Sequence, residues 1–174
     1  FEGLLEFSRA SYDGETCTQI LIRAQVDTSE LEQQIDFLHQ HDLVTNLLNR
    51  QYFMENLQQT IDEAISGQKE SNLFYISIDN FEQVRSSIGI SGCDILINDI
   101  AKTLKQNALE DDLVARFGAY AYSILLADRD QSKVEAFAEL LLKQIEQQIS
   151  EVGKQSISAT CSIAIYHIDE NAPD

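Results

Sequence analysis

The stretch HDLVTNLLNR, at positions 41–50, lies between two segments with helical periodicity. The segment before it, residues 28–41, carries an apolar stripe at spacings of four and three. The segment after it runs from Arg50 to Ser66, has an apolar residue at every fourth position from Phe53 to Ile65, and is stopped by Gly67. The stretch therefore predicts the point at which a linker helix enters a larger domain.

Beyond Gly67, predicted strands and helices alternate. Strands are expected at 73–78, 113–117, 122–127 and 157–166, and helices at 80–88, 92–107 and 131–150. The strand at 73–78 is almost continuously apolar, which predicts burial on both faces. Residues 118–121 join two strands as a hairpin. This order predicts an α/β or α+β domain in which helices cover a sheet.

The N-terminal part is predicted to be a β-hairpin followed by a helix. Phe1–Ala10 and Thr16–Val26 have strand composition, and Asp13-Gly14 favours a tight turn between them. In the helix at 28–41, Thr28 or Ser29 could cap the start, with Glu32 at capping-box spacing from Ser29. Its apolar stripe, Leu31, Ile35 and Leu38, either pairs with a second copy or packs on its own domain, and too few heptads are present to decide.

The charge balance excludes several classes of function. The 174 residues include 12 Lys and Arg against 29 Asp and Glu, a formal charge of −17, which disfavours binding to nucleic acids and anionic membranes. The scattered cysteines Cys17, Cys93 and Cys161 form no zinc motif and fit buried thiols in a reducing compartment. With no apolar run of about 18 residues and no signal pattern, we expect a cytoplasmic segment of a longer protein.

Five landmarks, spread in order over about 130 residues, resemble those of the GGDEF family. DLVTNLLNR (42–50) is similar to the family's D-x-L-T-G-L-x-N-R, and IDNF (78–81) to D-I-D-x-F-K. Gly89 with GCD (92–94) is similar to G-H-x-x-G-D, LVARFG (113–118) to the strand entering the signature hairpin, and SIA (162–164) to the late S-I-G strand. The resemblance implies a largely antiparallel sheet wrapped by helices, similar to the palm of nucleotide cyclases, with Asn49 and Arg50 at the start of the first helix.

Active members of that family make cyclic-di-GMP from two GTP molecules bound through metal ions. Their signature G-G-[DE]-E-F falls on Gly118, Ala119, Tyr120, Ala121 and Tyr122. The resemblance places the two metal-binding carboxylates at Ser77 and Tyr120, where this chain has none. Because a hydroxyl is a poor substitute for a carboxylate in a magnesium site, we expect no bound metal, no cofactor and no cyclase activity.

The nucleotide pocket of the family falls on Phe81, Arg85, Asp94 and Arg116, where only Asp94 retains a guanine-binding side chain. For Asp94 the alternative is to cap or solvate a helix, and for Arg116 it is a salt bridge. The inhibitory R-x-x-D motif falls on residues 109–112, so that only Asp112 remains. Tyr120 is interpreted as a plug in the vacated pocket, or as a contact for a partner.

Three functional hypotheses follow from the resemblance. The first is a non-catalytic regulatory module similar to FimX-like proteins, with PAS strands at 1–27, a linker helix at 28–41, the GGDEF domain at 42–174 and a downstream output domain such as EAL. Its last helix is expected beyond Asp174, and GTP or cyclic-di-GMP is a candidate ligand of the full-length protein. The second is a GTP sensor without turnover. The third is a dimerisation or docking module that uses residues 28–41.

Overall fold

The computed structural model describes residues 3–24, 29–127 and 130–172, in two compact units that meet between Asp36 and Phe37. The first unit contains an antiparallel hairpin of β1 (Gly3–Tyr12) and β2 (Glu15–Ala24). Its turn uses Asp13 and Gly14, both at positive φ (54° and 85°), so the predicted hairpin is confirmed. Helix α1 spans Ser29–Gln40. Thr28, the other suggested cap, lies outside the described residues.

The second unit is built on a four-stranded sheet of order β4-β5-β3-β8, in which all neighbours are antiparallel. Its strands are β3 (Ser71–Ile78), β4 (Leu113–Arg116), β5 (Ala121–Ala127) and β8 (Cys161–Ile168). Its helices are α2 (Arg50–Ile65), α3 (Phe81–Asn107) and α4 (Gln131–Gln147). The predicted fold class, a helix-covered and largely antiparallel sheet, is confirmed.

Two apolar clusters hold the helices to the sheet. The larger joins α3 and α4 to alternate residues of β3 and β5, including Phe74, Ile76 and Ile124, which are fully buried. The smaller joins α2, through Phe53 and Leu57, to residues of β4 and β5. Burial of such side chains stabilises the fold by roughly 1.5–3 kcal/mol each.

Three sequence predictions about this unit were wrong in detail. β3 is fully buried on one face only, since Tyr75 on the other is 43% exposed. The helix predicted at 131–150 ends at Gln147, and Ser150 already belongs to a strand. A small hairpin, β6 (Ser150–Val152) and β7 (Gln155–Ile157), was not predicted and displaces the start of the last strand to Cys161. Gly153, at φ 64°, makes the turn of this hairpin.

Helix α3 contains a break that matches the two helices predicted there. Gly89 has non-helical angles (φ 69°, ψ −177°), which only glycine adopts readily. Gly92 follows, and a Cβ on it would lie 2.8 Å from Ile88 Cβ and 2.9 Å from Val152 Cγ1. Glycine at this position therefore allows the β6–β7 hairpin to approach the helix closely.

The cysteines behave partly as expected. Cys93 and Cys161 are buried, and burial raises the pKa of Cys161 to about 12, so this thiol stays protonated. Cys17 is exposed, contrary to the expectation of buried thiols. Within the described parts of the chain, no helix combines the length and apolar character needed to cross a membrane.

Candidate functional site

The turn between β4 and β5 is the centre of the candidate site. The backbone N–H groups of Phe117 and Gly118 donate to the carbonyl oxygen of Ala121 at 2.9 and 3.0 Å, which closes the turn tightly. Ile78 N–H, at the end of β3, donates to the carbonyl oxygen of Tyr120 at 3.0 Å. In the sheet, Ser77 pairs with Ala121. The fold therefore brings together the two positions, 77 and 120, that the sequence singled out.

The Tyr120 side chain lies against the first residue of α3. Its ring stacks on that of Phe81, with 5.3 Å between centroids and 25° between planes. Phe81 is 7% exposed and Tyr120 is 42% exposed. Offset aromatic pairs of this kind contribute about 0.5–1.5 kcal/mol beyond area burial. The ring of Tyr120 is thus held on the outer side of Phe81.

Arg116, next to the turn, forms the salt bridge that the sequence offered as one interpretation. Its Nη1 donates to Asp42 Oδ1 at 3.2 Å and to Oδ2 at 3.3 Å, and its Nη2 approaches the carbonyl oxygen of Ala119 at 3.5 Å. Asp42 Oδ1 also accepts from Thr45 N at 3.0 Å and from Thr45 Oγ1 at 2.9 Å. Although partial burial raises the pKa of Asp42, these hydrogen bonds and the Arg116 charge lower it more, and the net shift is downward.

The segment 41–50 ties the end of α1 to this site. Asn49 Oδ1 caps α2 by accepting from Tyr52 N at 2.9 Å, while its Nδ2 donates to the carbonyl oxygen of His39 at 2.7 Å. Leu48 forms a bridge with β4, because its carbonyl oxygen accepts from Arg116 N at 2.9 Å. The predicted cap at Asn49 is confirmed, whereas Arg50 stacks its guanidinium over the Phe117 ring at 4.9 Å.

Asp79 is the carboxylate nearest in sequence to Ser77. Its two oxygens accept hydrogen bonds of 2.8 Å from Thr160 Oγ1 and Ser162 Oγ, at the start of β8. No local sequence pattern predicts this pairing, because the partners lie more than 80 residues apart. Among the described residues, no three His, Cys, Asp or Glu side chains lie close enough together to hold a metal ion.

The other predicted pocket residues are spread along α3. Arg85 is exposed and its Nη1 lies 3.8 Å from Glu82 Oε1, one helical turn away. Asp94 is exposed inside the helix, beyond the break at Gly89, and within the described structure it makes no capping hydrogen bond. Asp94 is therefore a solvated residue on the helix surface and not a helix cap.

Asp112 lies before β4 and is buried, with 2% of the residue exposed. It accepts from the backbone N–H groups of Leu109 at 2.8 Å and Ala127 at 3.3 Å, so it braces the loop that enters the signature hairpin. Leu109, at the position of the family's arginine, is 62% exposed.

Tyr122 fills the last signature position from inside the core. It is fully buried, and its hydroxyl donates to the carbonyl oxygen of Ile97 in α3 at 2.7 Å. Burial, opposed weakly by the Arg116 charge, raises the pKa of Tyr122 well above its usual value, so the hydroxyl remains a donor. The expectation that this ring packs in place of phenylalanine is confirmed.

Comparisons with known proteins agree on one family. The family model described as "Diguanylate cyclase, GGDEF domain" matches residues 39–174. The bifunctional diguanylate cyclase/cyclic di-GMP phosphodiesterase MucR of Pseudomonas aeruginosa is 31% identical over 128 residues, which is 72% of this chain and 18% of MucR. This chain likewise spans only 29% of the probable diguanylate cyclase DgcT of Escherichia coli, to which it is 29% identical.

Solved structures give the same result. The GGDEF domain of FimX from Pseudomonas aeruginosa superposes with a TM-score of 0.74 at 28% identity, covering 78% of this chain and 83% of that one. The coiled coil and GGDEF domain of DgcB from Caulobacter crescentus has a TM-score of 0.77 at 21% identity, covering 83% of this chain and 77% of that one, which supports the fold alone. The chain therefore belongs to the GGDEF family of diguanylate cyclase domains.

Proposed function

We propose that residues 42–174 form a non-catalytic GGDEF domain that relays a signal within a cyclic-di-GMP signalling protein. The observation that carries the proposal is the Tyr120–Phe81 stack, with 5.3 Å between ring centroids. In active members, position 120 supplies a metal-binding carboxylate and position 81 lies in the nucleotide pocket. In this chain the aromatic ring of Tyr120 covers the side chain of Phe81.

The side chains around the turn do not fit a magnesium–GTP site. Magnesium prefers carboxylate and phosphate oxygens, whereas positions 77 and 120 offer a hydroxyl and a phenol. The nearby Asp79 carboxylate is already hydrogen-bonded through both oxygens. A catalytic metal supplies several kcal/mol of charge stabilisation, and each loss of about 1.4 kcal/mol lowers the rate about tenfold. Loss of both carboxylates therefore implies a rate lower by many powers of ten.

A relay role is supported by the hydrogen bonds that lead from the end of α1 to the signature turn. Asn49 binds the His39 carbonyl oxygen, the adjacent Leu48 pairs with β4, and Arg116 of β4 reaches both Asp42 and the Ala119 carbonyl oxygen. In this proposal residues 1–27 are the last strands of a PAS domain, and an EAL output domain follows. The relative MucR is named as both a diguanylate cyclase and a cyclic di-GMP phosphodiesterase, which is consistent with a GGDEF domain and an output domain in one chain.

The test is a turnover assay with magnesium and GTP, in which cyclic-di-GMP is quantified by mass spectrometry. The diguanylate cyclase TpbB serves as the positive control. We expect no product above a metal-free control, at protein concentrations where TpbB consumes its GTP completely. Product that increases with the concentration of this chain, and that disappears on chelation, would refute the proposal.

A GTP sensor without turnover is the second candidate, and the exposed, unpaired Asp94 within the described structure favours it. Calorimetry with GTP tests this candidate. Micromolar binding that is abolished by Asp94→Ala would support a sensor, and the absence of detectable binding would exclude it. Arg116 supports a GTP sensor less strongly than the sequence suggested, because its guanidinium group already forms a salt bridge with Asp42.

A dimerisation module is the third candidate. The stripe of α1 is exposed, with Leu31, Ile35 and Leu38 at 58%, 45% and 54%. Sedimentation of the chain with and without residues 1–41 tests it, and a monomer in both cases counts against self-association. A cytoplasmic location remains a prediction under all three candidates.

A further inference from the structure

A groove on the second unit, away from the signature turn, has a charge character opposite to that of the chain. It has a volume of about 340 Å³ and lies between the segment Val44–Leu47 and the last turns of α3. Its ionisable lining residues are Lys102 and Lys105, and no carboxylate lines it. The chain has 29 acidic and 12 basic residues, so the sign of charge in this groove is opposite to that of the chain as a whole.

The two lysines share one helical face. Asn98, Lys102 and Lys105 follow at spacings of four and three, so their side chains project to the same side of α3. Lys102 Nζ lies 3.2 Å from Asp99 Oδ1, so its charge is partly balanced, and the Lys102 side chain is 60% exposed. Lys105 has no ion pair within the described residues. The groove therefore contains one positive charge without an ion-pair partner among the described residues, Lys105, beside one that is partly neutralised, Lys102.

The rest of the lining suits a small polar molecule. The carboxamides of Asn46, Asn98 and Gln106 offer both donors and acceptors, which can hydrogen-bond hydroxyl groups or the edge of a base. Leu47 and Ala101, at 4% and 0% exposure, give the groove an apolar floor. Its volume is at the lower end of the range for small-molecule pockets, about 300–1,000 Å³.

We infer that this groove is a binding site for a phosphorylated small molecule of mononucleotide size, with Lys102 and Lys105 as the phosphate ligands. The site is separate from the signature turn, and it does not depend on whether that turn is catalytically silent. It is nevertheless connected to the turn. Thr45 lines the groove and hydrogen-bonds Asp42, whose partner Arg116 approaches the Ala119 carbonyl oxygen. Binding against residues 44–46 is therefore transmitted to the signature turn.

The test is an NMR titration of the ¹⁵N-labelled chain with GMP, ribose 5-phosphate and guanosine, each to millimolar concentration. We expect saturable shifts at Asn46, Asn98 and Gln106 with one or both phosphorylated probes, and none with guanosine. Binding of both probes identifies the phosphate sugar as the recognised unit, and binding of GMP alone adds the base. Failure of both phosphorylated probes, equal binding of guanosine, or shifts confined to Phe81 and Tyr120 would overturn the inference.

A matched pair of variants tests the role of the lysines. Replacing Lys102 and Lys105 by glutamine should weaken GMP or ribose 5-phosphate binding at least about tenfold, since hydrogen bonds to charged groups are the stronger ones. Replacing the exposed Lys143 and Lys154 by glutamine removes the same charge elsewhere and should change affinity less than about twofold. Equal effects of the two pairs would overturn the assignment.

Two further readouts complete the test. Added sodium chloride should weaken binding, because the attraction is between charges at a partly exposed site. Bound ligand should also shift the amide of Ala119. Arg116→Gln, which leaves the hydrogen bonds between Asp42 and Thr45 in place, should remove that shift while leaving those at Asn98 and Gln106. Salt-independent binding would overturn the phosphate assignment, and an unmoved Ala119 would overturn the connection to the turn.

Discussion

Replacement of Asp42 by alanine should destabilise the second unit more than any other change of an exposed or half-buried charge. The Asp42 side chain is 24% exposed, and that of its partner Arg116 is 17% exposed. Besides Arg116, Asp42 Oδ1 accepts from Val44 N at 3.2 Å, Thr45 N at 3.0 Å and Thr45 Oγ1 at 2.9 Å. The change therefore removes both an ion pair and the acceptor that holds the turn at 42–45.

The expected loss is about 2–3 kcal/mol of unfolding free energy. A hydrogen bond to a charged group contributes about 1.5–3 kcal/mol, and an Arg116 left partly buried without its partner adds a desolvation penalty. Asp42→Asn keeps an acceptor for Thr45 but loses the charge, so its cost should be about half as large. The control is Asp99→Ala, whose partner Lys102 is 60% exposed and lies within one helical turn, so that this pair should contribute less than about 0.5 kcal/mol.

Urea unfolding of the three variants, followed by circular dichroism, measures these differences. The pH dependence gives an independent check. The pKa of Asp42 is lower in the folded state than in the unfolded state. The ionised carboxylate therefore contributes fully to the unfolding free energy above the unfolded-state pKa of 3.8, and this contribution is lost as the pH falls through the folded-state pKa. The gap between wild type and Asp42→Asn should shrink below about pH 4. A loss under about 0.5 kcal/mol for Asp42→Ala, or an additive double change with Arg116→Ala, would refute the reasoning.

Two further predictions concern the packing of α3. Tyr122→Phe removes the hydrogen bond to the Ile97 carbonyl oxygen and should lower the unfolding free energy by about 1 kcal/mol, measured by urea unfolding; no change would mean that the hydroxyl is not paired. Gly92→Ala places a Cβ within 2.9 Å of Val152 Cγ1 and should cost about 1–3 kcal/mol, whereas Gly118→Ala, whose Cβ would meet only Ala121 at 3.6 Å, should cost less in the same assay. Equal costs for the two glycine changes would contradict the close approach of the β6–β7 hairpin.

The fold could be predicted because its signals are local and periodic. Helix α2 follows from apolar residues at every fourth position and from a cap at Asn49, and the turn between β4 and β5 follows from two short apolar strands separated by Gly118. The β6–β7 hairpin could not be predicted, because its short polar strands continue directly from the helical pattern of α4. Its position depends instead on a close tertiary contact with Gly92.

The candidate site could be located from sequence, although its interactions could not. The resemblance to the family implied that Ser77 and Tyr120 lie together, and β3 and β5 do pair there. The partner of Arg116 is 74 residues away at Asp42, and no local pattern links two such positions. The only available signal was Asp42 followed three residues later by Thr45, a spacing typical of side-chain-capped turns.

The central claim is that the signature turn cannot seat metal-bound GTP. An NMR titration of the ¹⁵N-labelled chain with GTP, with and without magnesium, tests it at the residues concerned. We predict that the amides of Tyr120 and Phe81 do not respond to magnesium at any GTP concentration. Saturable shifts of these two amides that require magnesium would contradict the claim.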